Sequence, residues 1–153
     1  MAIEAPISKF KKNGLLIYIV VCLAASAWFA RDGYMNKNFI DKHTGEDGKA
    51  DSTLIFNQKA PPFGVGIAVL LAGYFLVIKN KKLVADENDL IVSATKKIPY
   101  DPIQKIDKTH FESKGFFVLT YKDGSGKEIE CRISNRKYNN LSAVLEHLVG
   151  KMS

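Results

Sequence analysis

GLLIYIVVCLAASAWFA, residues 14–30, and PFGVGIAVLLAGYFLVI, residues 62–78, are the two stretches that decide the fold. Each is 17 residues long and contains no charged side chain. At a rise of about 1.5 Å per residue, each makes a helix of roughly 25 Å. This is the short end of what crosses a hydrocarbon core of about 30 Å, and flanking lysines can reach to the interface. The sequence therefore predicts a hairpin of two transmembrane helices.

The basic residues are concentrated beside these two stretches. Of the net charge of +6, residues 1–13 carry +2, residues 61–82 carry +3 and residues 83–153 carry only +1, while residues 31–60 are neutral. Because cytoplasmic flanks retain Lys and Arg, we expect a multi-pass protein of the inner membrane with both termini in the cytoplasm. A basic excess beside the membrane also argues against nucleic acid as a partner. The membrane-flanking lysines are Lys9, Lys11, Lys12, Lys79, Lys81 and Lys82.

This topology divides the chain into five segments. We predict a basic cytoplasmic tail, a first transmembrane helix, an extracytoplasmic loop, a second transmembrane helix and a cytoplasmic domain, over residues 1–13, 14–30, 31–61, 62–78 and 83–153.

An alternative for the N-terminal segment is a secretory signal peptide cleaved after Ala27. A basic stretch, an apolar stretch and Ala25-Ser26-Ala27 fit that pattern. The apolar run continues through Ala30, which favours an uncleaved helix.

Small residues recur at every fourth position in both apolar stretches. Gly64, Ala68 and Ala72 have this spacing in the second stretch, and Cys22, Ser26 and Ala30 have it in the first. Small residues let helix backbones approach closely in lipid. We expect contact within the hairpin; packing against another protein and chance spacing are the alternatives. Neither stretch contains an ionisable Asp, Glu, Lys, Arg or His, so the hairpin is expected to be an anchor rather than an ion path.

Residues 83–153 show the pattern of a small α+β domain. Strand-like segments rich in β-branched and aromatic residues alternate with polar turns, and a stretch with helical spacing follows. The sequence predicts five or six antiparallel strands forming a β-barrel or sheet, capped by a C-terminal helix. The predicted strands are 83–85, 90–92, an extended segment 98–103, an imperfect strand 103–109, 116–121 and 128–133, with the helix over about 138–151.

This domain resembles the bacterial pleckstrin-homology-like (PH-like) domains that are attached to membrane helices. The resemblance covers residues 83–150 and depends on the order of elements and on IPYDPIQKI at residues 98–106. It implies a cytoplasmic domain held against the bilayer and used for interaction rather than chemistry. In relatives that bind phosphoinositides, the loop between the first two strands is basic. The matching turn here is Asp86–Asp89, which is acidic, so we carry over no lipid site from the family.

The sequence contains no recognisable catalytic, cofactor or metal motif. There is no glycine-rich phosphate loop, His/Cys metal spacing or nucleophile elbow. Asp41 begins the best calcium-loop candidate, but Ser52 stands where the terminal glutamate is needed. A dyad of Cys131 and His110 is conceivable. We expect no catalytic residue, no metal, no cofactor and no enzyme activity.

The leading functional hypothesis is a membrane-anchored interaction or scaffold protein, serving as an accessory or assembly subunit of a membrane complex. Its expected partners are membrane lipids and another membrane protein or complex. The alternative is an anionic-lipid sensor, and an enzyme is the least favoured class. The candidate contacts with a partner or with lipid are Lys96, Lys97, Arg136 and Lys137.

Overall fold

The computed structural model describes residues 2–152, and these form two compact units. One unit is helical and comprises residues 13–76. The other combines the residues up to 12 with those from 77 onward. The coarse prediction of two long apolar helices and a small α+β domain is confirmed.

Both long helices extend well beyond the apolar stretches. Helix α1 spans Lys9–Ala30 and runs into a π-helical turn at Arg31–Met35; the short helix α2 spans Lys37–Lys42 and helix α3 spans Ser52–Ile78. Two continuous helical segments of 27 residues each result, both long and apolar enough to cross a membrane. Much of the predicted loop 31–61 is therefore helical.

Helix α3 begins ten residues earlier than predicted because Asp51 caps it. The Asp51 carboxylate accepts a hydrogen bond from the Leu54 N–H at 2.9 Å, which satisfies one of the donors that a helix start leaves free. The same carboxylate lies 2.7 Å from His43 Nδ1. These hydrogen bonds lower the pKa of Asp51 from its ordinary value, the backbone bond to Leu54 being the largest cause.

Two prolines inside α3 free two carbonyl groups, and the π-helical turn that follows α1 covers them. Pro61 and Pro62 lack the N–H that would reach the carbonyls of Asn57 and Gln58. The Tyr34 hydroxyl donates to the Gln58 carbonyl at 2.7 Å. A Cβ on Gly33 would lie 2.9 Å from the Asn57 carbonyl oxygen, so only glycine permits this close approach.

The two long helices meet through small residues. Ser26 is 5% exposed and its hydroxyl donates to the Cys22 carbonyl at 2.7 Å. A Cβ on Gly64 would overlap the Ser26 hydroxyl, whereas Gly66 faces open space. Ala68 is also buried and Ala72 is partly buried.

The second unit contains two antiparallel sheets and two helices. The first sheet has the order β1-β2-β3-β4 and the second β5-β6-β7. The strands are β1 Ile3–Pro6, β2 Lys82–Ala85, β3 Asp89–Ser93, β4 Lys96–Pro99, β5 Ile103–Asp107, β6 Phe116–Lys122 and β7 Glu128–Ser134, and the helices are α4 Phe111–Lys114 and α5 Leu141–Met152.

Strand β1 changes the interpretation of the N-terminus. Residues 1–13 were predicted to be a tail, but Ile3–Pro6 pairs with Lys82–Ala85, and Ala5 and Ile7 are buried in the core. The first two strands are consequently joined by the chain that forms the long helices. The turn Asp86–Asp89 was predicted to join the first two strands, but it joins the second and third.

Two further boundaries differ from the prediction. Residues 98–103 are not one extended segment, because β4 ends at Pro99 and the Ile103 N–H closes a turn onto the Tyr100 carbonyl at 3.0 Å. Helix α5 begins at Leu141 rather than at Tyr138, since Tyr138 is buried and bridges to Ile7.

The core of this unit lies between the sheets and α5. Phe117 and Leu119 of β6 are fully buried, as are Leu83 and Leu90 of the first sheet. Helix α5 packs against β1 and β2. Its predicted apolar face is confirmed at Leu141, Val144, Leu145 and Leu148, whereas Met152 is 40% exposed.

Candidate functional site

One end of the α+β unit carries all the connections to the long helices. Strand ends on this side are tied together by backbone hydrogen bonds. The Ile7 N–H donates to the Lys81 carbonyl at 3.1 Å, the Ser8 N–H to Lys137 at 2.9 Å and the Asn135 N–H to Gly115 at 2.8 Å. We call this the helix-joining end.

The helix-joining end is strongly basic. Its acidic residues are Glu4, which forms an ion pair with Lys82, Asp107 and Glu112. Within the described chain, the six predicted membrane-flanking lysines all belong to this unit. The basic residues of this end are Lys9, Lys11, Lys12, Lys79, Lys81, Lys82, Lys97, Lys108, Lys114, Arg132, Arg136 and Lys137.

The opposite end of the unit is acidic. Here the Tyr100 N–H donates to the Asn88 carbonyl and the Lys122 N–H to Pro102, both at 3.0 Å, which brings the remaining turns together. The basic residues in these turns are Lys122 and Lys127; the acidic ones are Asp86, Glu87, Asp89, Asp101 and Asp123. The unit therefore has a charge polarity along the direction in which its strands run.

The four predicted contact residues do not form one site. Arg136 and Lys137 lie near the start of α1, because their carbonyl groups accept hydrogen bonds from the hydroxyl and the N–H of Ser8. Lys97 is exposed near the start of β4. Lys96 instead turns toward the sheet, with Nζ 3.8 Å from Cys131 Sγ. Partial burial acts to lower the pKa of Lys96, but the neighbouring Cys131 and Tyr121 outweigh it, and the pKa is raised.

Ser8 is a positioning residue that the sequence analysis missed. It is 1% exposed, and its hydroxyl donates to the Arg136 carbonyl while accepting from the Lys11 N–H at 3.2 Å. One side chain thus caps the start of α1 and fixes the connection between β7 and α5. A serine just before a helix is a recognisable cap signal. Its hydrogen bond to Arg136, 128 residues away, cannot be recognised from the neighbouring sequence.

A groove of the unit lies between α4 and α5 and has a volume of about 940 Å³. Its floor includes Phe111, Leu145 and Val149, and its rim carries Lys108 and Glu146. Side chains of both charges line it, so the groove does not select for one sign of charge.

The acidic end contains a hydrogen-bonded tyrosine. The Tyr100 hydroxyl donates to the Asp86 carbonyl at 2.7 Å, and His147 Nε2 lies 3.0 Å from the same oxygen. Partial burial, with further contributions from the carboxylates of Asp86 and Asp89, raises the pKa of Tyr100 to about 12.

Residues 2–152 contain no group of three metal-ligating side chains close enough to hold an ion. The conceivable dyad does not assemble as a pair either. The His110 ring packs against Phe116 with centroids 5.3 Å apart, whereas Cys131 lies beside Lys96.

Searches against family models, curated proteins and solved structures found no match for this chain.

Proposed function

We propose that the chain is a non-enzymatic protein of the cytoplasmic (inner) membrane that crosses the bilayer twice and holds a small interaction domain at the cytoplasmic face. The observation that carries this proposal is the pairing of β1 with β2. β1 precedes the first long helix and β2 follows the second, so one sheet joins both ends of the hairpin. Both ends therefore belong on the same side of the membrane.

The charge polarity of the domain supports the cytoplasmic side. The inner leaflet is anionic, and each Lys or Arg near such a surface contributes about 1 kcal/mol of attraction. The helix-joining end presents a large excess of cations, whereas the acidic turns lie at the other end. Attraction of the cationic end to the anionic leaflet and repulsion of the acidic end from it both favour a domain with its cationic end toward the membrane.

Pairing of β1 also weighs against a cleaved signal peptide. Cleavage after Ala27 would remove β1, expose the edge of β2 and take Ala5 and Ile7 out of the core. An uncleaved first helix keeps the sheet intact.

A PH-like identity of the domain remains part of this proposal. Its support is the arrangement of antiparallel strands with a C-terminal helix packed on the first sheet. The first two strands are joined through the helical hairpin, which is flanked by six lysines. The connection that is basic in phosphoinositide-binding relatives is thus basic here too.

Labelling with a membrane-impermeant maleimide tests the topology. Ala2→Cys, Lys49→Cys and Ser142→Cys would each be placed in a Cys22→Ala, Cys131→Ser background. We expect positions 2 and 142 to react only in inside-out vesicles and position 49 only in right-side-out vesicles. Reaction of positions 2 and 49 from the same side would overturn the proposal.

Interaction with another membrane protein or complex, as an accessory or assembly subunit, is the proposed role of the domain. Affinity purification of the full chain in mild detergent should recover a stoichiometric partner. The matched control is Phe117→Ala, which destabilises the core of the domain at a position outside the hairpin, and should recover less of that partner. A clean monomer from the native membrane would contradict the role.

Anionic-lipid sensing is the second candidate, favoured by the position of Arg136 and Lys137 beside the membrane-flanking lysines. Hydrogen exchange of residues 134–140 in the full chain should slow in nanodiscs containing phosphatidylglycerol relative to pure phosphatidylcholine. Salt should reverse the effect. Equal exchange in both lipids would exclude this candidate.

A further inference from the structure

We infer that a groove at the helix-joining end, between α4 and the connection from β7 to α5, binds a phosphomonoester group. The groove has a volume of about 500 Å³. Three cationic side chains from separate elements line it, namely Lys114, Arg132 and Arg136. All lining residues of the groove belong to the α+β unit, so binding of a soluble ligand does not depend on the proposed membrane location. Binding of a lipid phosphate does rest on the proposed function.

The Arg132 guanidinium is held in place by an aromatic ring. Its central carbon lies 3.6 Å from the centroid of the Phe116 ring. Arg132 pairs with Val118 across the strands, so Phe116 is its diagonal neighbour. Stacking uses the face of the guanidinium and leaves the N–H groups at its edge available for a bidentate bond to phosphate.

The backbone that carries Arg136 is fixed from two sides. The Asn135 N–H donates to the Gly115 carbonyl at 2.8 Å, and the Asn135 side chain occupies the space where a Cβ on Gly115 would be. On the other side, Ser8 donates to the Arg136 carbonyl. The cation is thus carried by a preorganised loop, which reduces the ordering cost of binding.

Lys114 is placed by the end of α4. The helix stops at Gly115, which has a left-handed φ of 67° and donates its N–H to the Phe111 carbonyl. This glycine lets the chain turn directly from α4 into β6, so Lys114 lies next to the start of the strand that carries Phe116.

Charge complementarity favours a dianion. Glu112 also lines the groove, so three cations and one carboxylate give a net charge of +2. A phosphomonoester carries about −1.5 to −2 at neutral pH, whereas a phosphodiester carries only one negative charge. Ser113 and Ser134 add hydroxyl donors to the lining.

A phosphomonoester reaches this groove from one of two sources. Phosphatidic acid supplies it within a bilayer, and glycerol 3-phosphate supplies the same group in solution. Both probes are to be tested with the full chain in phosphatidylcholine nanodiscs, with and without phosphatidic acid.

Binding of glycerol 3-phosphate would be measured by calorimetry in pure phosphatidylcholine nanodiscs. Arg132→Gln and Arg136→Gln should each raise the dissociation constant at least tenfold. Lys122→Gln, at the acidic end, should leave it within twofold. Arg132→Lys keeps the charge but loses the stacked guanidinium group, so its dissociation constant should lie between those of Arg132→Gln and Lys122→Gln. Circular dichroism checks that each variant remains folded.

Hydrogen exchange of residues 111–116 and 132–136 would then be compared in nanodiscs with the same fraction of phosphatidic acid or of phosphatidylglycerol. Slower exchange with phosphatidic acid than with phosphatidylglycerol would identify a lipid source. Saturable glycerol 3-phosphate binding without that difference supports the groove with a soluble source, whatever happens to the membrane proposal. The inference is overturned if neither probe acts on the groove, or if Lys122→Gln weakens binding as much as Arg132→Gln.

Discussion

The helical unit and the α+β unit place the same kinds of side chain in opposite locations. In the helical unit, Ile17, Phe63 and Leu70 are 61%, 73% and 75% exposed, while Ser26 and Asn57 are buried. In the α+β unit, Phe117 and Leu119 are fully buried. Water drives apolar side chains inward in one unit. In lipid that drive is absent, so helices associate through small residues and polar contacts.

The largest effect that separates the two units is expected from truncating a buried aromatic residue. Phe117→Ala should lower the free energy of unfolding of the α+β unit by about 3–5 kcal/mol, because it removes burial and leaves a cavity. Leu70→Ala should leave that free energy unchanged. Denaturant titration in detergent, followed by near-ultraviolet circular dichroism, measures both. Equal effects of the two substitutions would contradict this difference between the two units.

A smaller effect is expected from adding one methyl group between the long helices. Gly64→Ala should destabilise the hairpin by about 1–3 kcal/mol, since the new Cβ overlaps the Ser26 hydroxyl. Gly66→Ala is the matched control, because nothing lies within 4 Å of it. The midpoint of unfolding by SDS in mixed micelles reports both.

Removing the clash should reverse that loss. A Cβ on Gly64 lies 3.5 Å from Ser26 Cβ, so Ser26→Ala should restore much of the stability of Gly64→Ala. If the double variant is no better than Gly64→Ala alone, the helices do not meet at this point.

The hydrogen bond across the prolines is expected to contribute less. Tyr34→Phe should cost the hairpin about 1 kcal/mol, because the Gln58 carbonyl loses its donor. In a Pro62→Ala background the helix supplies its own N–H to that carbonyl, so the same substitution should cost less. Unfolding by SDS measures the loss of hairpin stability in both backgrounds. If Tyr34→Phe costs as much with Pro62→Ala as without it, the Tyr34 hydroxyl does not compensate for the missing N–H of Pro62.

The ionisation of Tyr100 is expected to have no effect at neutral pH and to matter only at high pH. Its pKa is raised on folding from 10.0 to about 12, so its neutral form is favoured in the folded state. The resulting stability is complete below about pH 10 and is lost as the pH rises toward 12. Tyr100→Phe should flatten the pH dependence of the melting temperature in this window. A normal tyrosine titration near pH 10 in the folded protein would contradict the burial of Tyr100.

Local patterns predicted much of the fold. The apolar stretches became the long helices, and FFVLTY at residues 116–121 became the central strand β6. Each of these patterns depends only on residues within one helix or strand, so it can be recognised without knowing which other parts of the chain that element contacts. A polar turn between the predicted strands 116–121 and 128–133 is also present, and Gly126 in it has a left-handed φ of 81°.

Long-range contacts could not be predicted in the same way. Strand β1 has only four residues, ends in a proline and pairs with residues more than 75 positions away. Ser8 and Arg136 are farther apart still. The early start of α3 was hidden by two prolines, which usually mark a boundary. Their cost is offset here by Tyr34 and Gly33, which lie on another helical turn.

A disulfide between the two halves of the chain tests the central claim most directly. Glu4 and Val84 are opposite each other in the pairing of β1 with β2. The variant carries Glu4→Cys and Val84→Cys, Cys22→Ala and Cys131→Ser, and a protease site inserted after Gly48. Oxidised right-side-out vesicles would be treated with external protease. We predict complete cleavage with both fragments remaining joined until a reductant separates them. Separate fragments before reduction, or cleavage only in inside-out vesicles, would contradict a hairpin closed by one cytoplasmic sheet.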